Sequence, residues 1–179
     1  MNKALIIYGT RYGAAASTSE EIAKIMRQEG LDVCVVDAKE EKLKEITEYD
    51  LVVVGSGIQI NKWTGEPENF LKKFRKELAK KKVALFVCCG SASDEAKPSA
   101  AENARRKYLE EKASKYGLHP VALGLFGGVY NYNNLPWYFK RAMEADRPRV
   151  AATYKETEPG VYDTRDWTAI RGWAKELAR

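Results

Sequence analysis

Five short apolar runs, centred in residues 4–8, 31–36, 50–55, 83–89 and 120–126, alternate along this chain with stretches of helical periodicity. Each run is apolar almost without interruption, as in Leu51-Val52-Val53-Val54, and such runs belong to strands buried on both faces. Parallel strands buried this way need helical crossovers on both sides, and right-handed crossovers leave few arrangements. The spacing predicts a doubly wound α/β fold: five parallel strands in the order 2-1-3-4-5. With 179 residues, 45% hydrophobic and 31% charged, the chain suits one domain over 1–179 with a substantial core.

The intervening helices are placed by their own signals. After the first strand, Ile22, Ile25 and Met26 recur at helical spacing, and Thr18 with Glu21, or Ser17 with Glu20, fits a capping box. Residues 38–48 are polar and suit a helical turn or two. A helix over 66–80 carries Pro67 in its first turn and Phe70, Leu71, Phe74 and Leu78 on one face. A helix over 99–116 ends at Gly117, and a last helix over 166–178 buries Trp167, Ile170, Ala174 and Leu177. Residues 127–165 depart from the alternation. They form an inserted loop and helix region, with a short helix over 136–145.

Composition removes several function classes. No apolar run is long enough to span a bilayer and the N-terminus carries no cleavable signal pattern, so a cytoplasmic protein is expected. The three cysteines, Cys34, Cys88 and Cys89, have no metal spacing and fall inside the expected strands, as reduced core residues. Thirty Lys plus Arg against 25 Asp plus Glu give a net charge of +5. The excess clusters at 72–82, 105–107 and 140–149, on separate helices and without a reading motif, so no nucleic-acid partner is expected.

In the order 2-1-3-4-5, ligands bind at the carboxyl ends of strands one, three and four, where the order reverses. Those ends carry three small-residue loops, residues 9–19, 55–65 and 89–93. A dinucleotide fingerprint is absent, since the first loop reads Gly9-Thr10-Arg11-Tyr12-Gly13, and a P-loop Lys-Ser/Thr pair is absent too. Strands one and three lack the carboxylates of a phospho-receiver. His119, the only histidine, falls at the opposite, amino end of strand five, which removes a histidine-based hydrolase. A phosphomonoester bearing a flat aromatic group survives: hydroxyls and N–H groups of residues 9–19 for the phosphate, and residues 56–63 and 89–93 beside the ring. Flavin mononucleotide (FMN) meets that description.

The chain resembles the flavodoxin-fold proteins, and more closely their protoporphyrinogen dehydrogenase-type branch. The resemblance rests on Thr10-Arg11-Tyr12-Gly13 with Glu21-Ile22-Ala23, on residues 49–58, on Pro136-Trp137-Tyr138-Phe139-Lys140, and on Tyr162-Asp163-Thr164-Arg165-Asp166-Trp167. It implies FMN, with Thr10, Arg11, Gly13, Ser17, Thr18 and Ser19 around the phosphate, and the loop from Ile58 to Trp63 and the turn of Cys89, Gly90 and Ser91 at the ring; Tyr12, Ser56 and Gly57 complete the expected cofactor-binding set. Ala14-Ala15-Ala16 lengthens the phosphate loop relative to the family pattern. Trp63 stands either to stack on the ring or to pack its own loop, and Arg11 either to pair with phosphate or to face solvent. Tyr130, Tyr132, Trp137 and Tyr138, beside Lys140 and Arg141, either pack the extra helix or form a surface for a partner or a porphyrin.

Two functions follow from the resemblance. One is a redox carrier that passes electrons through its flavin to a partner protein. The other is a dehydrogenase acting on protoporphyrinogen IX and passing electrons to a quinone, with a peripheral membrane contact through residues 127–165. Neither needs a catalytic side chain or a metal, and neither specifies an oligomeric state.

Overall fold

The computed structural model describes residues 2–93 and 98–179. Its elements in order are β1 (Lys3–Gly9), α1 (Ala14–Gln28), β2 (Asp32–Asp37), β3 (Leu51–Gln59), β4 (Lys62–Trp63), α2 (Gly65–Lys73), α3 (Arg75–Leu78), β5 (Lys82–Cys88) and a 3-10 turn (Gly90–Ser93). There follow α4 (Pro98–Arg105), a π-helical turn (Arg106–Glu110), α5 (Glu111–Tyr116), β6 (Ala122–Phe126), β7 (Val129–Asn131), a 3-10 turn (Tyr132–Asn134), α6 (Trp137–Thr153), β8 (Glu156–Glu158), β9 (Val161–Asp163) and α7 (Trp167–Leu177). The main sheet runs β2-β1-β3-β5-β6, all parallel, and β4 hangs antiparallel from the end of β3. Without that two-residue strand this is the expected order 2-1-3-4-5.

Alternation along each strand sorts the core into two layers. Leu5, Ile7, Val52, Val54, Leu85 and Val87 face Phe70, Leu71, Phe74, Leu78 and Leu109 on one side. Ala4, Ile6, Val53, Ala84 and Phe86 face Ile22, Met26, Ile170 and Ala174 on the other. Each layer therefore buries one stripe of its amphipathic helices, the main source of their stability. Trp173 meets Phe86 and Phe126 edge-on, at ring centroids 6.2 and 5.5 Å away.

Several expected boundaries move, each for a local reason. Helix α1 starts at Ala14, not at a Ser/Thr capping box; its N-cap is Gly13, at φ 87°, without a side-chain cap. Three alanines, the best helix formers, continue the helix back to that glycine. Strand β3 runs on through Gln59, so the loop expected over 55–65 is a hairpin whose two turn residues, Ile60 and Asn61, both have positive φ. A β-branched residue rarely adopts that conformation, which is why no turn is legible at Ile60.

The helix expected over 66–80 breaks at Phe74, and 38–48 holds turns but no helix. Cys88 and Cys89 are buried as expected, but Cys34 is exposed, because the edge strand β2 covers only alternate residues.

Residues 127–165 hold more order than a loop with one short helix. Strands β7, β9 and β8 form a second, antiparallel sheet, and α6 spans 17 residues despite Pro148. Tyr132, Val150 and Tyr162 make its buried centre, with Tyr130, Leu135, Met143 and Tyr154 around them.

Candidate functional site

A cleft of about 980 Å³, part of it open to solvent, lies at the carboxyl ends of β1, β3 and β5. The first loop contributes Thr10, Arg11, Tyr12 and Ala14; the β3–β4 hairpin contributes Gly57, Ile58, Gln59, Ile60 and Thr64; the end of β5 contributes Cys88, Cys89 and Gly90. The fourth wall is the second sheet with α6, through Gly128, Val129, Tyr130, Asn131, Leu135, Phe139 and Met143. At the rim Tyr12 and Ile60 are 46% and 67% exposed, and Gln59 Nε2 lies 3.4 Å from the Tyr12 hydroxyl.

Seven of the fourteen residues singled out by sequence line this cleft: Thr10, Arg11, Tyr12, Gly57, Ile58, Cys89 and Gly90. Gly13 shapes it from behind as the N-cap of α1, its N–H donating to Thr10 Oγ1 at 2.9 Å. Ser17, Thr18 and Ser19 sit within α1, and their hydroxyls are engaged or buried. Ser17 Oγ donates to the Gly13 carbonyl at 3.1 Å, Thr18 Oγ1 accepts from Cys88 Sγ at 3.4 Å, and Ser19 Oγ is buried without a partner. The cause is the early helix start, which carries these residues past the N-terminus.

Ser56 is fully buried. Its Oγ donates to the Gly57 carbonyl at 2.8 Å and accepts the Thr64 N–H at 3.0 Å, which closes the hairpin. Trp63 is 5% exposed and points into the core, where Nε1 donates to the Tyr108 carbonyl at 2.8 Å. Tyr108 belongs to the π-helical turn, whose wider winding displaces carbonyls from the regular ladder. The Tyr108 hydroxyl reaches Asn61 Oδ1 at 3.1 Å, so one π turn holds the hairpin at its tip and on its returning strand. Ser91 is exposed on its 3-10 turn and lines nothing.

The outer wall is the part that spacing does not reveal. Tyr130 belongs to an aromatic stretch visible in sequence, but only the β7–β9 pairing turns it toward Gly90. A Cβ on Gly90 would stand 2.2 Å from the Tyr130 hydroxyl oxygen, so a larger residue there would push the Tyr130 side chain out of its place in the wall. Tyr154 Oη donates to the Ser93 carbonyl and Ser93 Oγ to Thr164 Oγ1 at 2.7 Å, fastening the wall to the β5 turn.

The electrostatics are one-sided. Among the described lining residues Arg11 is the ion, and no carboxylate faces the cleft. Arg11 Nη2 lies 3.0 Å from Glu66 Oε1. Burial pushes the Glu66 carboxyl up, but Arg11 and a backbone N–H outweigh it and hold it below the usual range. Burial pushes the Cys88 and Cys89 thiols up to about 12 and about 11, so neither is a thiolate nucleophile near neutrality. His119 is exposed near the amino end of β6, at the far edge of the sheet.

The arrangement fits a phosphorylated flavin. Helix α1 leaves the N–H groups of its first turn without intrahelical acceptors and turns its positive dipole end toward the loop. The Thr10 hydroxyl and Arg11 add donors, and the slot between Gly57-Ile58 and Cys89-Gly90 is apolar enough for a ring.

Residues 5–152 match the family described as flavodoxin domain. Among curated proteins, the protoporphyrinogen IX dehydrogenase [quinone] of Leishmania major is 25% identical over 178 residues, which cover 98% of this chain and 74% of that protein. Its counterpart in Escherichia coli K12 is 23% identical over 177 residues, covering 98% and 94%. Among solved structures, a flavodoxin from the domain Archaea superposes with a TM-score of 0.57 at 18% identity, covering 98% of this chain and 96% of that one. Reduced Megasphaera elsdenii flavodoxin gives 0.53 at 18%, covering 68% and 84%. At these identities the structural likenesses speak for the fold.

Proposed function

This chain belongs to the flavodoxin domain family, and from that premise we propose that it binds FMN in the cleft and transfers electrons through it. The observation that carries the reading is the lining: donors and one cation at the α1 end, mainly small and apolar residues with Gln59, Thr64 and Asn131 beyond, and no carboxylate among the described lining residues. When bound, the flavin supplies one- and two-electron redox chemistry.

The chain's own residues bind, orient and exclude water. Backbone N–H groups of α1, with Thr10 and Arg11, hold the phosphate; Gly57, Ile58, Cys89 and Gly90 flank the ring; Tyr130, Leu135, Phe139 and Met143 keep water from its outer side. Arg11, held 3.0 Å from Glu66, would place positive charge beside a bound anionic group. Residues 1–179 act as one domain in the cytoplasm, with 127–165 as its insertion. No helix of the described residues is long and apolar enough to cross a membrane.

Adding FMN to the flavin-free protein should give a yellow one-to-one complex with quenched flavin fluorescence. Failure to bind flavin at micromolar concentration ends this reading.

The outer wall favours a second reading. A carrier needs its flavin edge accessible, whereas here an aromatic and aliphatic wall deepens the cleft, and Trp137 and Tyr138 stand 86% and 57% exposed beside Lys140 and Arg141. Those features suit contact with a membrane surface and a flat organic hydrogen donor at the flavin with a quinone acceptor; the relatives' names give such a donor and acceptor for those proteins. Turnover of protoporphyrinogen IX with a quinone above the uncatalysed rate would establish it; no turnover leaves the carrier and its redox partner protein.

A further inference from the structure

Arg165 lies in the insertion's last residues, yet its guanidinium is embedded against the first turn of α1, 147 to 151 positions earlier. Its Nη1 reaches the Ala14 carbonyl at 3.0 Å, Ser17 Oγ at 2.6 Å and Thr18 Oγ1 at 3.2 Å. Nε and Nη2 grip the Asp163 carboxylate at 2.9 and 2.7 Å, and the guanidinium lies 4.3 Å from the centre of the Trp167 ring. The side chain is 6% exposed.

Two features set this contact apart from an ordinary ion pair. First, a cation beside a helix N-terminus opposes the helix dipole, so the arrangement depends on Asp163 to neutralise it. The guanidinium charge is thus spent on Asp163 and is not offered to an anion in the loop. Second, Asp163 ends β9, where it pairs in register with Val129, a residue of the cleft's outer wall. Arg165 therefore joins the turn that begins the phosphate cradle to the strand that carries the wall.

We propose that Arg165, oriented by Asp163, is a positioning residue for the phosphate end of the cofactor: it fixes the first turn of α1 against the outer sheet, so that the helix N–H groups converge on the phosphate. This inference rests on the FMN reading above. It explains why Ser17 and Thr18 are not free for phosphate: they are the handles by which Arg165 holds the helix. It also makes a lysine a poor substitute, because one ammonium cannot span Asp163 and three α1 oxygens in the geometry of the planar fork.

The discriminating experiment compares FMN with riboflavin, which has the ring and lacks the phosphate. Affinities for both are measured by flavin fluorescence in the wild type, Arg165→Lys, Arg165→Met and Asp163→Asn, with circular dichroism melts to confirm that each variant is folded. Arg165→Met should weaken FMN at least tenfold and riboflavin less than threefold. Arg165→Lys and Asp163→Asn should fall between, with the same phosphate-selective pattern. Equal losses of both flavins, or no loss of FMN, in folded Arg165→Lys overturn the inference while leaving FMN binding intact. A wild type that binds neither flavin overturns the FMN reading and this inference with it.

Discussion

At the scale of single residues, the roles hinge on which way a side chain leaves the backbone. Trp63 sits in a loop that invites ring stacking, but β4 pairs with β3 and turns the indole inward onto the Tyr108 carbonyl. Lys112 Nζ lies 5.5 Å from the indole centroid. Trp63→Phe leaves that carbonyl unpaired in the core, at a cost of about 1–3 kcal/mol. The melting midpoint should fall by roughly 2–12 °C for a chain of this size, with FMN affinity changed less than threefold. A tenfold loss of FMN at an unchanged midpoint would place Trp63 at the ring instead. Sequence locates Thr10, Arg11, Gly57 and Gly90 at the cleft because the carboxyl ends of the strands and the turns that follow them place these residues almost regardless of packing. It does not carry the direction of Trp63 or of Ser17, Thr18 and Ser19, which one early helical turn decides.

At the scale of elements, paired polar contacts between neighbours supplement the buried apolar stripes that hold the helices in place. Glu68 of α2 accepts from Lys112 at 3.0 Å, Lys115 at 2.7 Å and the Tyr116 hydroxyl at 2.9 Å, linking α2 to α5. Burial pushes its carboxyl up, but these three donors prevail and bring it to about 2, from an ordinary 4.5. A carboxyl depressed in the folded state stabilises fully above its unfolded value and loses that contribution as pH falls through the folded one. Wild type should therefore melt above Glu68→Gln at pH 7, and the gap should close between about pH 4.5 and pH 2. A gap of constant size across that range would show that the three donors contribute nothing to the carboxylate's stability. Periodicity locates α1, α7 and the start of α2 within a few residues. It misses the π turn at 106–110, since a winding defect leaves the apolar rows almost unchanged, and it misses β7, β8 and β9, each three residues long.

At the scale of the whole molecule, charge and topology act together. The net charge of +5 should attract small anionic electron acceptors. Reoxidation of the reduced, flavin-loaded protein by ferricyanide should slow several-fold as the Debye length shrinks from about 30 Å at 0.01 M to about 8 Å at 0.15 M ionic strength. A neutral quinone should show little change. A ferricyanide rate indifferent to salt would mean that the field at the cleft is not set by the basic surplus. The alternation of apolar strands and helices by itself determined a doubly wound parallel sheet with its loops meeting at the carboxyl ends of the strands, because burial on both faces and crossover handedness leave few arrangements, of which 2-1-3-4-5 is a common one. Tertiary structure alone decided how the cleft is walled. Tyr130 opposite Gly90, Arg165 beneath α1 and Trp63 in the core each depend on pairs of residues tens to well over a hundred positions apart. No local period encodes such pairs, since the energy that selects them arises only when the two surfaces have met.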